Sequence, residues 1–310
     1  MMRATHDAGA RAMQMTQESP QAVKHDAPGD VPRAWTSTIR TKDGIDLAIY
    51  HWPAHGVARA TVALVHGLAE HSGRYAPLAE RLNAAGIELM SVDLRGHGKS
   101  PGRRVWIERF DDYLDDAQAL VNFASKRSTP LFLMGHSMGG AIAALYAVER
   151  LEPSGAPCAG LILSSAALAP GRDVPKWMLT LSHVISRLMP SFPALKLDES
   201  VLSRDPVAVD ANRNDPLVYH KPIPARTGAG ILGAMTRIAN KRAELRLPVF
   251  VFHGTADKLT EPEGSREFAR DVGSADRTLT LYEGAYHETM NDLDRDRVID
   301  ALIAWIVARS

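Results

Sequence analysis

A serine between two glycines is the strongest chemical signal in the sequence. Ser137 lies at the centre of the segment GHSMG, residues 135–139, which matches the pattern G-x-S-x-G. An apolar run over residues 131–134 precedes this segment, and an alanine-rich stretch follows it. In this context the pattern predicts a strained turn between a strand and a helix, which exposes the serine Oγ at the top of a sheet. We therefore interpret Ser137 as a nucleophile and not as a chance match in a glycine-rich turn.

A serine hydroxyl is a weak nucleophile and needs a base within hydrogen-bonding distance. On this kind of turn, the acid and then the histidine follow the serine along the chain. His287 lies in the turn after the last predicted strand, whereas His253 ends a strand and is interpreted as a packed residue. We predict His287 as the base and Asp257, in the loop after the preceding strand, as the acid that orients its imidazole. Asp205 and Asp215 are each followed by proline and are interpreted as turn residues.

Two backbone N–H groups should hold the oxyanion that forms when the serine attacks a carbonyl group. One belongs to Met138, the residue after the nucleophile, and the other to the loop that follows an early strand. That loop has the sequence HGLAEH, residues 66–71, and points to the N–H of Leu68. Residues 93–100, DLRGHGKS, combine glycines with basic side chains but lack the spacing of a P-loop. We interpret them as a structural turn that positions the oxyanion loop.

The composition argues against several other classes of protein. The chain has 310 residues, of which 45% are hydrophobic and 23% charged, and 36 basic residues balance 36 acidic ones. Nucleic-acid partners usually require a basic excess, so none is expected. The one cysteine, Cys158, allows no intrachain disulfide and fits a reducing compartment. His66 and His71 lie close in sequence without further ligands at metal-site spacing, so we expect neither a metal nor another cofactor.

The sequence contains neither a membrane-spanning nor a secretory pattern. No apolar run approaches the ~20 residues that a spanning helix needs. Residues 1–33 mix acidic and basic side chains and lack a continuous apolar stretch. We expect these residues to form a disordered tail and the protein to be cytoplasmic.

Short apolar runs alternate with helical stretches along the chain. Residues 35–40 and 46–52 alternate apolar and polar side chains around Asp43-Gly44, which predicts a β-hairpin. The runs that predict buried strands are residues 60–65, 87–92, 131–134, 161–163, 249–252 and 278–281. The stretches that predict helices are residues 75–85, 110–127, 138–150, 262–272 and 292–308. This alternation is typical of an α/β fold with a mostly parallel central sheet flanked by helices.

One long segment interrupts the alternation. Residues 166–245 contain no convincing strand but include helical stretches over residues 177–189 and 227–240. We predict that they form a helical cap, or lid, over the active site, and that residues 34–165 and 246–310 form the core.

An apolar stripe marks the first of these helical stretches. Its members are Trp177, Met178, Leu181, Val184, Ile185 and Leu188. Their spacing places them on one helix face, which favours packing against the core. The alternative is a partly exposed face that docks transiently on lipid surfaces and admits an acyl chain, as a peripheral protein would.

Five segments resemble the monoacylglycerol lipases, a family of serine hydrolases with the α/β-hydrolase fold. They are residues 66–75, 93–100, 135–140, 200–204 and 282–287. The resemblance extends from about residue 36 to the C-terminus and includes the cap. It implies cleavage of monoacylglycerol to glycerol and a free fatty acid, without metal or organic cofactor. The residues that it implies are the triad Ser137, Asp257 and His287 and the oxyanion donors Leu68 and Met138.

The resemblance also indicates the residues at the polar end of the substrate site. Glu70 and Arg74 match positions near the glycerol pocket, and a salt bridge that holds the loop explains them equally well. Asn212 stands where the animal enzymes have a tyrosine, and Met290 where they have a second histidine, so the selectivity for the alcohol can differ. A lysophospholipase or broad-specificity carboxylesterase is the alternative in the same reaction class. A catalytically silent binding protein is the alternative in another class.

Overall fold

The computed structural model describes residues 35–171 and 184–310, so the predicted tail and the first part of the apolar stripe lie outside it. Its strands are β1 Trp35–Arg40, β2 Asp46–Trp52, β3 Ala60–Val65, β4 Ile87–Val92, β5 Leu131–His136, β6 Gly160–Ser164, β7 Pro193–Leu195, β8 Ile223–Pro224, β9 Val249–Gly254 and β10 Arg277–Tyr282. Eight of them form one sheet in the order β1-β2-β4-β3-β5-β6-β9-β10. Neighbours in this sheet pair in parallel except β1 with β2 and β2 with β4. The predicted mostly parallel sheet and its N-terminal hairpin are confirmed.

The central strands are buried along their whole length. Every residue of β3, β4, β5, β6 and β9 is buried, because helices cover both faces of the sheet. Three of these strands extend beyond the predicted apolar runs: β5 through Gly135 and His136, β9 through His253 and Gly254, and β6 by Gly160 and Ser164 at its two ends. Glycine, serine and histidine contribute little to an apolar pattern, so it did not include the ends of these strands.

Seven helices of the described residues have eight or more residues. They are α1 Ala76–Ala84, α2 Phe110–Ala124, α3 Met138–Tyr146, α4 Pro206–Arg213, α5 Ala225–Lys241, α6 Pro262–Asp271 and α7 Arg295–Val307, of which α4 and α5 lie between β6 and β9. Short helical turns are Ser72–Tyr75, Glu199–Val201, Arg242–Glu244 and Thr289–Asn291, and α3 continues through a π-helical turn Ala147–Leu151 into Glu152–Ser154. Side chains of α2, α3 and α6 fill one core cluster, and those of α1 and α7 fill another. The two clusters hold β5 rigidly between helices, and the residues at its carboxyl end with it.

The segment between β6 and β9 contains helices and one small antiparallel ladder. The helical stretch predicted over residues 227–240 is α5, and residues 184–188 of the stretch predicted over 177–189 are helical. The prediction that this segment contains no strand is wrong, because β7 pairs with β8. Both strands are very short and contain proline, so neither produces the alternation by which strands are recognised.

Hydrogen bonds attach this segment to the core around the predicted oxyanion loop. The N–H of Tyr219 donates to the carbonyl of Ala69 over 2.8 Å. The Nε2 of His71 lies 2.9 Å from Oδ2 of Asp215. In the parts of the chain that the structure describes, no helix is both long enough and apolar enough to cross a membrane.

Candidate active site

Ser137 occupies a sharp turn between β5 and α3. Its backbone has φ 55° and ψ −121°, a combination that a non-glycine residue adopts only where the surrounding structure enforces it. A Cβ atom at Gly135 would overlap the carbonyl oxygen of Gly139, and one at Gly139 would overlap the carbonyl oxygen of Val65. The turn therefore requires glycine at both positions, which is the physical reason for the G-x-S-x-G pattern.

The predicted acid and the predicted base are in direct contact. Nδ1 of His287 lies 2.7 Å from Oδ2 of Asp257, and both side chains are almost fully shielded from solvent. A carboxylate only accepts hydrogen bonds, so the proton of the neutral imidazole is on Nδ1 and Nε2 is free to accept another. The imidazole thus has the tautomer that a general base for Ser137 needs.

Electrostatics at this pair favour charge separation. Burial lowers the pKa of His287, but the charge of Asp257 and its hydrogen bond outweigh burial and raise it above the ordinary value. Burial raises the pKa of Asp257, but His287 and His253 outweigh this and hold it far below its usual range. The ring of His136 lies 4.8 Å from that of His287, centroid to centroid. Burial, and then the charge of His287, lower the pKa of His136 to about 4, so it remains neutral beside the base.

Sequence reasoning missed the second histidine on Asp257. Nε2 of His253 lies 2.9 Å from the same Oδ2 atom, and Nδ1 of His253 lies 2.7 Å from the hydroxyl of Ser265. The hydroxyl of Thr260 donates to Oδ2 as well, over 2.7 Å. His253 is fully buried, as expected for a residue packed at a strand end, but it also orients the Asp257 carboxylate. Its position at a strand end, four residues before the acid, was the available signal.

Glu70 holds the predicted oxyanion loop in place. Its carboxylate accepts the N–H of Gly67 over 2.6 Å, the hydroxyl of Tyr75 over 2.7 Å and a guanidinium N–H of Arg74 over 2.6 Å. A Cβ atom at Gly67 would stand only 3.3 Å from Cβ of Ser137, so this loop lies directly against the candidate nucleophile. The geometry therefore supports the loop-holding interpretation of Glu70.

Arg74 bridges two buried carboxylates. Its Nη1 lies 2.6 Å from Glu70 and 2.7 Å from Glu288, and its Nη2 lies 2.8 Å from Glu288. Burial alone would raise the pKa of Glu70, but Arg74 and nearby histidines lower it to about 2. Sequence reasoning missed Glu288, although it directly follows the predicted base His287.

The turn formed by residues 93–100 also supports the oxyanion loop. Oδ1 of Asp93 accepts the N–H of Ser72 over 2.8 Å, and Oδ2 accepts the N–H of Lys99 over 2.8 Å. A Cβ atom at Gly98 would overlap the Asp93 carboxylate. The glycine thus makes room for a carboxylate of the protein itself, which agrees with the interpretation as a structural turn.

A cavity of about 830 Å³ lies between the sheet and the segment that joins β6 to β9. Of the predicted site residues, those that line it are Leu68, Glu70, Arg74, Ser137, Met138, Asn212, Asp257 and His287. Met290 does not, and borders instead a much smaller adjoining cavity beside Arg74 and Glu288. Among the described residues, no group of three or more His, Cys, Asp or Glu side chains is arranged to hold a metal ion. The geometry thus combines a serine, a histidine–aspartate pair and an extended, mainly apolar cavity.

Comparison with known proteins places this arrangement in a family. The family model described as "Serine aminopeptidase, S33" matches residues 56–294. The monoacylglycerol lipase of Mycolicibacterium smegmatis is 34% identical over 267 residues, which cover 86% of this chain and 94% of that protein. The human monoglyceride lipase is 31% identical over 287 residues, which cover 91% of this chain and 94% of that protein.

Comparison with solved structures indicates the same family. The crystal structure of Paleococcus ferrophilus monoacylglycerol lipase matches with a TM-score of 0.75 and 34% identity, covering 85% of this chain and 99% of that one. The chain belongs to the monoacylglycerol lipase family of serine hydrolases, which have the α/β-hydrolase fold.

Proposed function

We propose that this protein hydrolyses monoacylglycerol to glycerol and a free fatty acid through an acyl-enzyme at Ser137. The observation that carries the proposal is one cavity, with a mainly apolar lining, that Ser137 shares with the Asp257–His287 pair. The relatives named above are monoacylglycerol lipases, and the chain covers nearly their whole length.

The proposed reaction has two steps at one carbonyl carbon. In the first step the Oγ of Ser137 attacks the ester carbonyl while Nε2 of His287 takes its proton. The N–H groups of Leu68 and Met138 hold the oxyanion, and Asp257 stabilises the imidazolium that forms. His287 then protonates the departing glycerol oxygen. In the second step a water molecule gives a proton to His287 and its oxygen attacks the acyl-enzyme carbonyl carbon. His287 then returns that proton to the Oγ of Ser137 as the bond to the acyl group breaks, which releases the fatty acid.

The glycerol would bind at the polar end of the cavity. The Asn212 side chain is buried and lines the cavity, and its amide offers both a donor and an acceptor to a hydroxyl group. Glu70 and Glu288 are paired with Arg74, so neither offers a free negative charge to a choline group. This favours an uncharged polyol over a lysophospholipid head group.

The exposed apolar residues near the mouth of the cavity suit contact with lipid. Leu188 is 75% exposed, and Leu195 and Phe192, which both line the cavity, are 54% and 44% exposed. We propose that this surface rests transiently on lipid, since apolar side chains around an entrance favour such contact. Leu188→Glu should then weaken sedimentation with phosphatidylcholine vesicles, whereas Val57→Glu, at an even more exposed position between β2 and β3, should not. Equal binding of the two variants would refute the proposal.

A panel of esters tests the reaction itself. It contains monoacylglycerols, di- and triacylglycerols, lysophosphatidylcholine and p-nitrophenyl esters, with Ser137→Ala in parallel. We expect monoacylglycerol to have the highest kcat/KM and the variant to lose nearly all activity and all labelling by a fluorophosphonate probe. Equal or better turnover of lysophosphatidylcholine would overturn the substrate assignment. Failure of Ser137 to label in the wild-type protein would support a silent binding protein instead.

A further inference from the structure

Helix α5 supplies one wall of the cavity through a single apolar face. The members of this face that line the cavity are Ala225, Gly228, Ala229, Ile231, Leu232 and Met235. Their spacing of three, four and seven residues places them on the same side of the helix. The helix is held in place next to this face, because the Thr227 hydroxyl donates to the carbonyl of Val105 over 2.7 Å and Ile238 is buried in the core. The orientation of this wall is therefore well determined.

The wall begins beside the exposed part of the cavity lining. The N–H of Ala225, the first residue of α5, donates to the carbonyl of Phe192 over 2.8 Å, and Phe192 is half-exposed. Ser137, Phe192 and Gly228 line the same cavity. An acyl chain that extends from Ser137 towards the mouth near Phe192 would therefore have the start of α5 beside it.

Gly228 is unexpected on such a wall. Glycine within a helix is less favourable than alanine by about 1 kcal/mol, so its presence needs a reason. Neither strain nor close packing supplies one: its φ is not positive, and a Cβ atom at this position would meet no other atom within 4 Å. By contrast, a Cβ atom at Gly230 on the same helix would lie 3.6 Å from the ring of Phe110. The space beside Gly228 is the cavity itself.

We propose that Gly228 determines the acyl-chain length that the cavity accepts, because its missing side chain keeps the passage wide one helical turn from the mouth. The inference rests on the proposed ester hydrolysis and adds to it a residue that sets specificity. A branched side chain at this position would occupy space that a long acyl chain needs, whereas a short acyl chain would end before reaching it. The reacting atoms would be unaffected.

Gly233 provides a matched control within α5. A Cβ atom there also meets nothing within 4 Å, but Gly233 is not among the residues that line the cavity. Gly228→Leu and Gly233→Leu replace glycine by the same better helix former, so neither variant should unfold more easily than the wild type. Thermal unfolding of both variants checks this.

The experiment measures kcat/KM for p-nitrophenyl esters from acetate to palmitate, and for monoacylglycerols over the same range of chains. We expect Gly228→Leu to reduce kcat/KM for the longest chains roughly 100-fold, to leave the shortest esters unchanged and to move the preferred chain length downward. Gly228→Ala should give a smaller shift, and Gly233→Leu none. A uniform loss over all chain lengths, or the same shift in Gly233→Leu, would overturn the inference. If the p-nitrophenyl series shifts but no monoacylglycerol is cleaved, the proposed substrate fails while the role of Gly228 stands.

Discussion

Replacement of Asp257 by asparagine should disable the base without changing the shape of the site. The carboxylate is surrounded by donors on both sides. Oδ1 accepts the N–H groups of Leu259 and Thr260 over 2.7 and 3.1 Å. Oδ2 accepts Nδ1 of His287 and Nε2 of His253 over 2.7 and 2.9 Å. An amide has only one oxygen, so its NH₂ group must face two donors whichever way it turns.

The donors to Oδ1 and the donors to Oδ2 differ in whether they can give up their proton. Backbone N–H groups cannot lose their proton, whereas an imidazole can move its proton to the other nitrogen. The amide oxygen of the variant should therefore face Leu259 and Thr260, and its NH₂ group should face the two imidazoles. His287 would then carry its proton on Nε2, the atom that has to accept the proton of Ser137. A triad in the wrong tautomer loses about 10⁴-fold in kcat, or about 5 kcal/mol of transition-state stabilisation.

The assay is steady-state hydrolysis of a soluble p-nitrophenyl ester, together with the rate of fluorophosphonate labelling. Glu88→Gln is the matched control, because Glu88 is also a buried carboxylate and a hydrogen-bond partner of a histidine, His51, but does not line the cavity. We expect Asp257→Asn to lose both reactions and Glu88→Gln to retain them, with both proteins folded by circular dichroism. Retention of more than about 1% of kcat in Asp257→Asn would refute the tautomer argument.

Three further predictions concern pH, the buried ion pairs and the turn. Asp257 raises the pKa of His287 above its ordinary value of 6.5, and only the neutral imidazole is a base. The value of kcat/KM should therefore rise with pH through a midpoint above pH 6.5, and a midpoint below pH 6.5 in a pH–rate profile would contradict the assignment of His287 as the base. Arg74→Met leaves the buried Glu288 carboxylate unpaired and should cost about 3–5 kcal/mol in urea unfolding; a loss below about 1 kcal/mol would show that the pair is dispensable. Gly139→Ala places a methyl group against two backbone carbonyl oxygens and should abolish soluble expression or lower the thermal midpoint sharply; unchanged melting would show that the turn can relax.

Local patterns in the sequence predicted part of this structure. The unbroken apolar runs predicted strands buried on both faces, and the parallel sheet confirmed them, because the hydrophobicity and periodicity of side chains are properties of each segment alone. The G-x-S-x-G pattern likewise predicted the strand-to-helix turn at Ser137, since only glycine fits where its neighbours approach. Chain order after Ser137 and position after a strand predicted Asp257 and His287 as a pair, and their side chains lie 2.7 Å apart, because carboxyl ends of parallel strands meet at one edge of the sheet.

Contacts between side chains that are far apart in sequence depend on the tertiary structure. Arg74 and Glu288 are 214 residues apart in the chain, so no local sequence pattern could predict their pairing. The short strands β7 and β8 form only because they pair with each other, and neither has an alternation of apolar and polar side chains that would predict a strand. The packing of His253 could be predicted, but its contact with Asp257 and the space beside Gly228 are visible only in the folded structure. Contacts and empty space belong to the folded chain, whereas propensity and spacing belong to the sequence.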